Sequence, residues 1–182
     1  MEIALYHPAD GYYQSTHPIG TNGDYFTSPV AHPAFAVLIA SQLQAMWRAL
    51  DRPTQFHVVE IGAGYGVLAH DIIQYAQKME NGFGKAIEYL TLDRSATTQL
   101  QTLAPLVTQR LITDKIPLTN IVGCVLTNEL FDAFPVNRFR VQDGTLLEIY
   151  VTVCDEKLIE ILEIPSNPRI TKLFDQLTLP IS

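Results

Sequence analysis

Little of this sequence is charged and none of it is apolar for long. Asp, Glu, Lys and Arg make up 17% of 182 residues, against 47% hydrophobic. That ratio excludes a disordered or fibrous chain and describes an ordinary globular one. The longest apolar stretch, around Ala34 to Ile39, is far short of the ~20 residues that span a bilayer, so no membrane helix is expected. Basic residues are scarce, 12 against 19 acidic, for a formal charge of −7 and a pI near 5.1. Such a chain gains nothing from neutralising phosphates, which argues against a nucleic-acid partner and is compatible with a cationic substrate.

Cysteine is nearly absent. Cys124 lies in one apolar run and Cys154 follows another, which suggests small core residues and excludes a disulfide framework. His7, His17, His32, His57 and His70 form no ligand spacing with them, so no metal site is expected. The opening residues, Met1 to Pro8, lack both the basic flank and apolar core of a secretory signal and the Arg- and Ser-rich pattern of a transit peptide. The expected compartment is the cytoplasm. The length suits one domain with a real core.

What is present alternates in style. Residues 1–33 are rich in Gly, Pro, Asp, Asn and Tyr and read as a loop-dominated lead-in. From Pro33, Phe35, Leu38, Ile39, Gln42, Leu43, Met46, Trp47 and Leu50 recur at helical spacing up to Pro53. Phe56 to Ile61 reads as a buried strand and Val67 to Lys78 as a helix burying Leu68, Ile72, Ile73 and Ala76. Ile87 to Leu92 reads as a second strand ending at Asp93. Ser95 can cap a helix carrying Leu100, Leu103 and Leu106. Leu111 to Thr113 and Ile121 to Leu126 read as third and fourth strands. Near-continuous apolar strands separated by helices predict an α/β fold with a parallel, Rossmann-like sheet covered on both faces, over residues 34–136. In residues 137–182 the pattern becomes antiparallel: Arg138 to Gln142, the turn Asp143-Gly144, then Thr145 to Val153, a hairpin. Leu158 to Ile164 adds a third strand and Ile170 to Leu177 a last helix.

The strongest chemical signal is Glu60-Ile61-Gly62-Ala63-Gly64-Tyr65-Gly66. A strand turning at once into a helix needs glycine's φ freedom, and backbone without Cβ can approach a ligand held by free N–H groups and the helix N-terminus. The dinucleotide fingerprint G-x-G-x-x-G would put its third glycine where Val67 stands. The spacing is G-x-G-x-G, and Glu60 precedes it by two residues. A carboxylate there is awkward beside a pyrophosphate and useful beside a cationic methionine group. S-adenosylmethionine is therefore favoured over NAD. Asp93, ending the second strand, is placed to accept the ribose hydroxyls, or is a solvated strand-end acid. Asp114, after the third strand, is a candidate for the adenine edge, or an ordinary loop acid.

Three blocks carry a family resemblance: Leu5-Tyr6-His7-Pro8 with Gly11-Tyr12-Tyr13; Ile19-Gly20 with Gly23-Asp24-Tyr25-Phe26-Thr27-Ser28-Pro29; and Thr127-Asn128-Glu129-Leu130-Phe131-Asp132-Ala133-Phe134-Pro135-Val136. With the glycine loop between them, the chain resembles the MidA family of S-adenosylmethionine-dependent methyltransferases, whose mitochondrial members act in assembly of respiratory complex I. The resemblance implies a Rossmann-like class I methyltransferase sheet and a protein N-methyltransferase, with the arginine side chain as substrate. It also implies further residues upstream of the first block and further strands beyond the hairpin, so a fragment of a longer protein is expected.

Methyl transfer from a sulfonium is an in-line displacement that needs placement and charge, not a covalent intermediate. Glu129 and Asp132, just past the fourth strand, sit where open α/β sheets bind ligands and could orient a guanidinium, or merely cap the next turn. Asn128 could bridge cofactor and substrate. Asp24 is expected near the methionine end, with Tyr25 and Phe26 excluding water or simply packing. The alternatives are a non-catalytic cofactor-binding assembly module and, against the glycine spacing, an NAD-dependent oxidoreductase. An uncovered apolar fourth strand would invite a neighbouring chain, hence a homo-oligomer.

Overall fold

The computed structural model describes residues 1–14, 24, 27–79, 82–94 and 109–177, and the chain divides into two compact units, Met1–Phe134 and Pro135–Ser182. The first unit is built on four parallel strands: β1 (Phe56–Ile61), β2 (Ile87–Asp93), β3 (Gln109–Ile112) and β4 (Gly123–Thr127), in order β3-β2-β1-β4. β1 lies inside the sheet, and its alternation sends Phe56 and Val58 to one face and Val59 to the other. The larger core is on the first face. There the helices α3 (Ala34–Ala49), α4 (Val67–Lys78) and α5 (Phe83–Ala86) cover the sheet, and the Phe83 ring of α5 meets Trp47 of α3 and Phe56 of β1, at 5.6 and 5.9 Å. The second face gathers Val59, Leu90 and Leu92 with Leu111, Leu118 and Ile121.

β4 starts two residues later than the apolar run predicts. A Cβ at Gly123 would stand 1.9 Å from the His57 carbonyl oxygen, so only glycine allows β4 to close on β1 here. Ile121 is spent on the core instead. The buried stripe of α3 is also displaced: Ala36, Ala40, Leu43 and Trp47 are buried, while Leu38, Met46 and Leu50 are exposed. Alanines at this seam permit close approach to neighbouring elements, which outweighs the larger side chains on the adjacent face.

The lead-in is more regular than its composition suggests. It contains α1 (Glu2–Tyr6), a 3-10 turn at Tyr12–Gln14 and α2 (Ser28–Ala31), where Pro29 occupies the first turn, the place in a helix that tolerates a missing N–H. Such helices are too short to hold by propensity and depend on tertiary contacts, which composition cannot display. The helix expected after Ser95 lies outside the described residues. Among the described residues, no helix is long and apolar enough to cross a membrane.

The second unit has its own antiparallel sheet, β5 (Arg138–Gln142), β6 (Thr145–Cys154) and β7 (Lys157–Glu163), followed by α6 (Pro168–Leu177). Asp143-Gly144 turns the first hairpin with both residues at positive φ, and Asp155-Glu156 does the same for the second. Cys154 is exposed at the end of β6, so only the half-buried Cys124 fits the expected role of a small core thiol. These strands add nothing to the parallel sheet: among the described residues no strand pairs with the outer side of β4, and Val125 there is 57% exposed.

Glu148 pins this unit. It is 4% exposed and accepts hydrogen bonds from Asn137 Nδ2, the Tyr150 hydroxyl and the Ser166 N–H, at 2.5, 2.9 and 2.6 Å. The Ser166 N–H, then Asn137, hold its carboxyl down to about 2, from an ordinary 4.5. A depressed carboxylate stabilises the fold above its unfolded pKa, and that contribution disappears as pH falls from about 4.5 through about 2. Glu148→Gln should therefore melt earlier than wild type at pH 7, with the gap closing toward pH 2. Circular dichroism melts across that range test it, and a gap independent of pH would show that the charge does not matter.

Candidate functional site

At the carboxyl ends of β1 to β4, outside the strands where open α/β sheets place their ligands, lies a cavity of about 510 Å³. β1 delivers the chain into it through a tight turn in which Gly62, Gly64 and Gly66 take φ of +74°, +53° and +70°. Side chains at those φ values are strained, which accounts for glycine at every second position. Gly66 donates to the Ala63 carbonyl at 2.7 Å and caps α4, whose first residues, Val67 and Leu68, line the cavity with their N–H dipoles directed to its end.

The end of β2 holds this turn. Gly62 N–H donates to the Leu92 carbonyl at 2.8 Å, and Gly64 N–H donates to Asp93 Oδ2 at 3.0 Å. The Asp93 carbonyl receives Thr113 N–H at 2.7 Å and so fixes the segment after β3, where Asp114 lines the cavity. Asn128, Glu129 and Asp132 line it from the segment after β4. Leu130 packs onto the glycine turn, since a Cβ on Gly62 would lie 2.7 Å from Leu130 Cδ1. Glu129 sits at φ +51° and Asn128 Nδ2 is 3.5 Å from its Oε1. A left-handed glutamate costs on the order of 1 kcal/mol, and such conformers concentrate at functional sites.

Glu60, the penultimate residue of β1, lines the same cavity, is 3% exposed, and accepts a hydrogen bond from the Tyr89 hydroxyl at 2.9 Å. Burial pushes its carboxyl up to about 7; the Tyr89 bond opposes this and the Asp93 charge adds to it. Of the anticipated residues, Glu60, Gly62, Gly64, Gly66, Asp93, Asp114, Asn128, Glu129 and Asp132 thus share one wall system. Asp24 is exposed and does not line the cavity. Tyr25 and Phe26 lie outside the described residues. Sequence reasoning missed Tyr89, whose signal was a phenol inside an apolar strand that needs a partner. It also missed Tyr6, Tyr13, Arg94 and Lys115 as lining residues. Five carboxylates therefore face two cations, and Arg94 is already paired with Glu2 at 2.7 Å. A cavity so lined attracts a cationic ligand. No cluster of three metal-ligating side chains occurs among the described residues.

Comparison with known proteins bears on what that ligand is. A family model described as "Putative S-adenosyl-L-methionine-dependent methyltransferase" matches residues 38–182. The chain is 28% identical over 180 residues to "Protein arginine methyltransferase NDUFAF7 homolog, mitochondrial" of Drosophila melanogaster, covering 84% of this chain and 40% of that protein. The Homo sapiens protein "Protein arginine methyltransferase NDUFAF7, mitochondrial" is 24% identical over 182 residues, with the same shares. The chain thus spans about 40% of the length of these curated relatives. A solved structure described as a "likely methyl transferase from Burkholderia thailandensis bound to S-adenosyl-homocysteine" superposes with a TM-score of 0.76 at 25% identity, over 97% of this chain and 47% of that one.

The Glu60 environment has a measurable consequence. A carboxyl raised in the folded state contributes stability that is complete below its unfolded pKa of 4.5 and lost as pH rises through about 7. The ligand-free wild type should lose on the order of 3 kcal/mol between pH 4.5 and 8 relative to Glu60→Gln. Denaturant unfolding of both proteins across that range measures it; parallel stability curves would mean that Glu60 is solvated or compensated.

Proposed function

This chain belongs to the S-adenosyl-L-methionine-dependent methyltransferase family, and from that premise we propose that its cavity binds this cofactor and that a protein arginine side chain receives the methyl group. The observation that carries the proposal is one acidic cavity lined together by the glycine turn, Asp93 and the Asn128–Asp132 segment.

The residues fit the cofactor. A turn of three left-handed glycines lets backbone approach a ligand without Cβ interference, while the N–H groups of those glycines are themselves spent on Leu92, Asp93 and Ala63. Glu60 lies where a cationic methionine end would be favoured. Asp93, oriented by its bond to Gly64, accepts from the ribose hydroxyls, and Asp114 meets the adenine edge. Asn128 lies between the cofactor and substrate sides. Bound there, the cofactor supplies an electrophilic methyl group on a sulfonium.

The protein's task is then placement. Glu129 and Asp132 are exposed carboxylates, three residues apart on the irregular segment after β4. They pair with the donor fork of a guanidinium, orient one nitrogen and hold the positive charge near its carbon. The acidic wall attracts the cationic substrate and lowers the charge cost of bringing two cations together. The net charge of −7 argues against a nucleic-acid partner, and a second copy of the chain is a candidate to cover the outer side of β4. A cytoplasmic protein is the reading taken from residues 1–8, whereas the relatives named above carry "mitochondrial" in their names. The exposure of Glu129 and Asp132 favours a second reading, a cofactor-binding module without turnover. Transfer of labelled methyl groups into extract proteins separates the two.

Isothermal titration should detect S-adenosyl-homocysteine binding, and Gly64→Val should abolish it by filling ligand space. Asp93→Ala should weaken it by about 1–3 kcal/mol, the cost of losing a charge-assisted partner. No heat with the wild type at millimolar ligand would remove the cofactor assignment. Where turnover is measurable, Glu129→Gln should lower it far more than it lowers cofactor affinity. Equal losses would make Glu129 a structural or cofactor-side residue.

A further inference from the structure

We propose that the segment Glu2–Tyr13 is a strap over the cofactor cavity and that the Tyr6 hydroxyl is its latch, setting the rate at which cofactor enters and leaves. The inference rests on the cofactor reading above and deepens it by assigning the gate.

The strap is tightly folded. Gly11 N–H donates to the His7 carbonyl and Gln14 N–H to the Gly11 carbonyl, both at 2.8 Å. His7 Nδ1 accepts from the N–H groups of Ala9 and Asp10 at 3.3 and 3.2 Å. A Cβ at Gly11 would stand 2.5 Å from the His7 nitrogen, so the turn closes on itself only with glycine there. The Tyr13 ring stacks on the Tyr6 ring, with centroids 5.4 Å apart. The segment therefore moves as one piece.

It is fastened at both sides of the cavity, and Tyr6 takes part in both attachments, joined by Glu2 on one side. On the β2 side, the Arg94 guanidinium lies over the Tyr6 ring at 4.1 Å while pairing with Glu2 at 2.7 Å. Arg94 follows Asp93, the proposed ribose acceptor. On the β4 side, the Tyr6 hydroxyl donates to the Ala133 carbonyl at 2.6 Å, across 127 residues of sequence. Ala133 follows Asp132, the proposed substrate-side carboxylate. Tyr6, Tyr13, Arg94 and Ala133 all line the cavity. Burial pushes the Tyr6 hydroxyl up, which keeps it a protonated donor.

The two attachments differ in what release requires. The Arg94 side is an exposed pair that slides over a ring face with little directional demand. The Ala133 side is a single directional bond, so it opens all at once. Opening it lifts the aromatic pair from the cavity and frees the carbonyl next to Asp132. Cofactor exchange is thereby coupled to the substrate-side segment.

Tyr6→Phe deletes the latch and keeps both ring contacts. Stopped-flow displacement of S-adenosyl-homocysteine should show its off-rate raised about 2- to 10-fold, the range of one net hydrogen bond, with the melting temperature near wild type. Tyr6→Ala, which also loses the stacking, should exceed it. Glu2→Gln, which loosens only the sliding side, should change the off-rate less than Tyr6→Phe. A wild-type off-rate in a folded Tyr6→Phe protein overturns the proposal. Should that variant not fold, hydrogen exchange of residues 2–14 in the wild type decides instead: slower exchange with saturating S-adenosyl-homocysteine supports the strap, and unchanged exchange overturns it. A wild type that binds no S-adenosyl-homocysteine is a different result, because it removes the cofactor reading itself.

Discussion

The candidate site depends on what the last two residues of β2 hold. Leu92 and Asp93 between them accept from Gly62, Gly64 and Thr113, and so fasten the turns that follow the two neighbouring strands. Each bond is worth about 1 kcal/mol net, and the one to the Asp93 carboxylate about 1.5–3. Without them the glycine turn would be free to choose among conformations, because its residues have few steric constraints of their own. The same permissiveness that lets the turn approach a ligand makes it dependent on an outside anchor, and β2 supplies that anchor. Asp93 thus orients the loop before it does anything to a ligand.

Two glutamates in this chain show how burial and hydrogen-bond donors compete to set a carboxylate's state. Glu148 and Glu60 are 4% and 3% exposed. Glu148 has three donors, which hold its carboxyl down to about 2; Glu60 accepts one bond, from a phenol, and burial, with the charge of Asp93 beside it, pushes its carboxyl up to about 7. The first arrangement is finished within the protein and serves the fold. The second leaves a carboxyl whose charged form is poorly solvated until a cation arrives. Glu60 lines the cavity and Glu148 does not, although both are acids inside a β-structure.

Much of the fold was legible because it is local. β1, β2, α4 and both strands of the first hairpin follow apolar periodicity within a residue or so, and Asp143-Gly144 gives its turn directly. The glycine turn was legible as a tight strand-to-helix connection, since three glycines after a buried strand mark backbone at positive φ. What was hidden lies in contacts between distant residues. The partners of Tyr89 and Tyr6 are 29 and 127 positions away, and no pattern in either neighbourhood announces them. The short helices of the lead-in were hidden for the same reason. The burial of Ala36 and Ala40 in place of Leu38 reflects which seam needs close approach, a property of the neighbouring elements and not of α3 itself.

The cavity's walls are unequally supported, and the inequality follows the proposed division of labour. The cofactor side is backed by the larger core and tied by the bonds of Leu92 and Asp93. The segment after β4 carries Glu129 in a left-handed conformation, and its Glu129 and Asp132 carboxylates and the Phe131 and Phe134 rings are exposed. Among the described residues its strand has a partner on one side only. A binding wall gains affinity by being rigid before its ligand comes, because ordering is then already done. A wall that meets a macromolecular substrate gains from leaving apolar rings and carboxylates uncovered, since these are what a protein surface carrying a guanidinium can bury and pair. The same inequality explains why the Tyr6 bond ends at Ala133: it is a tether on the less supported wall from an element that also grips the better supported one.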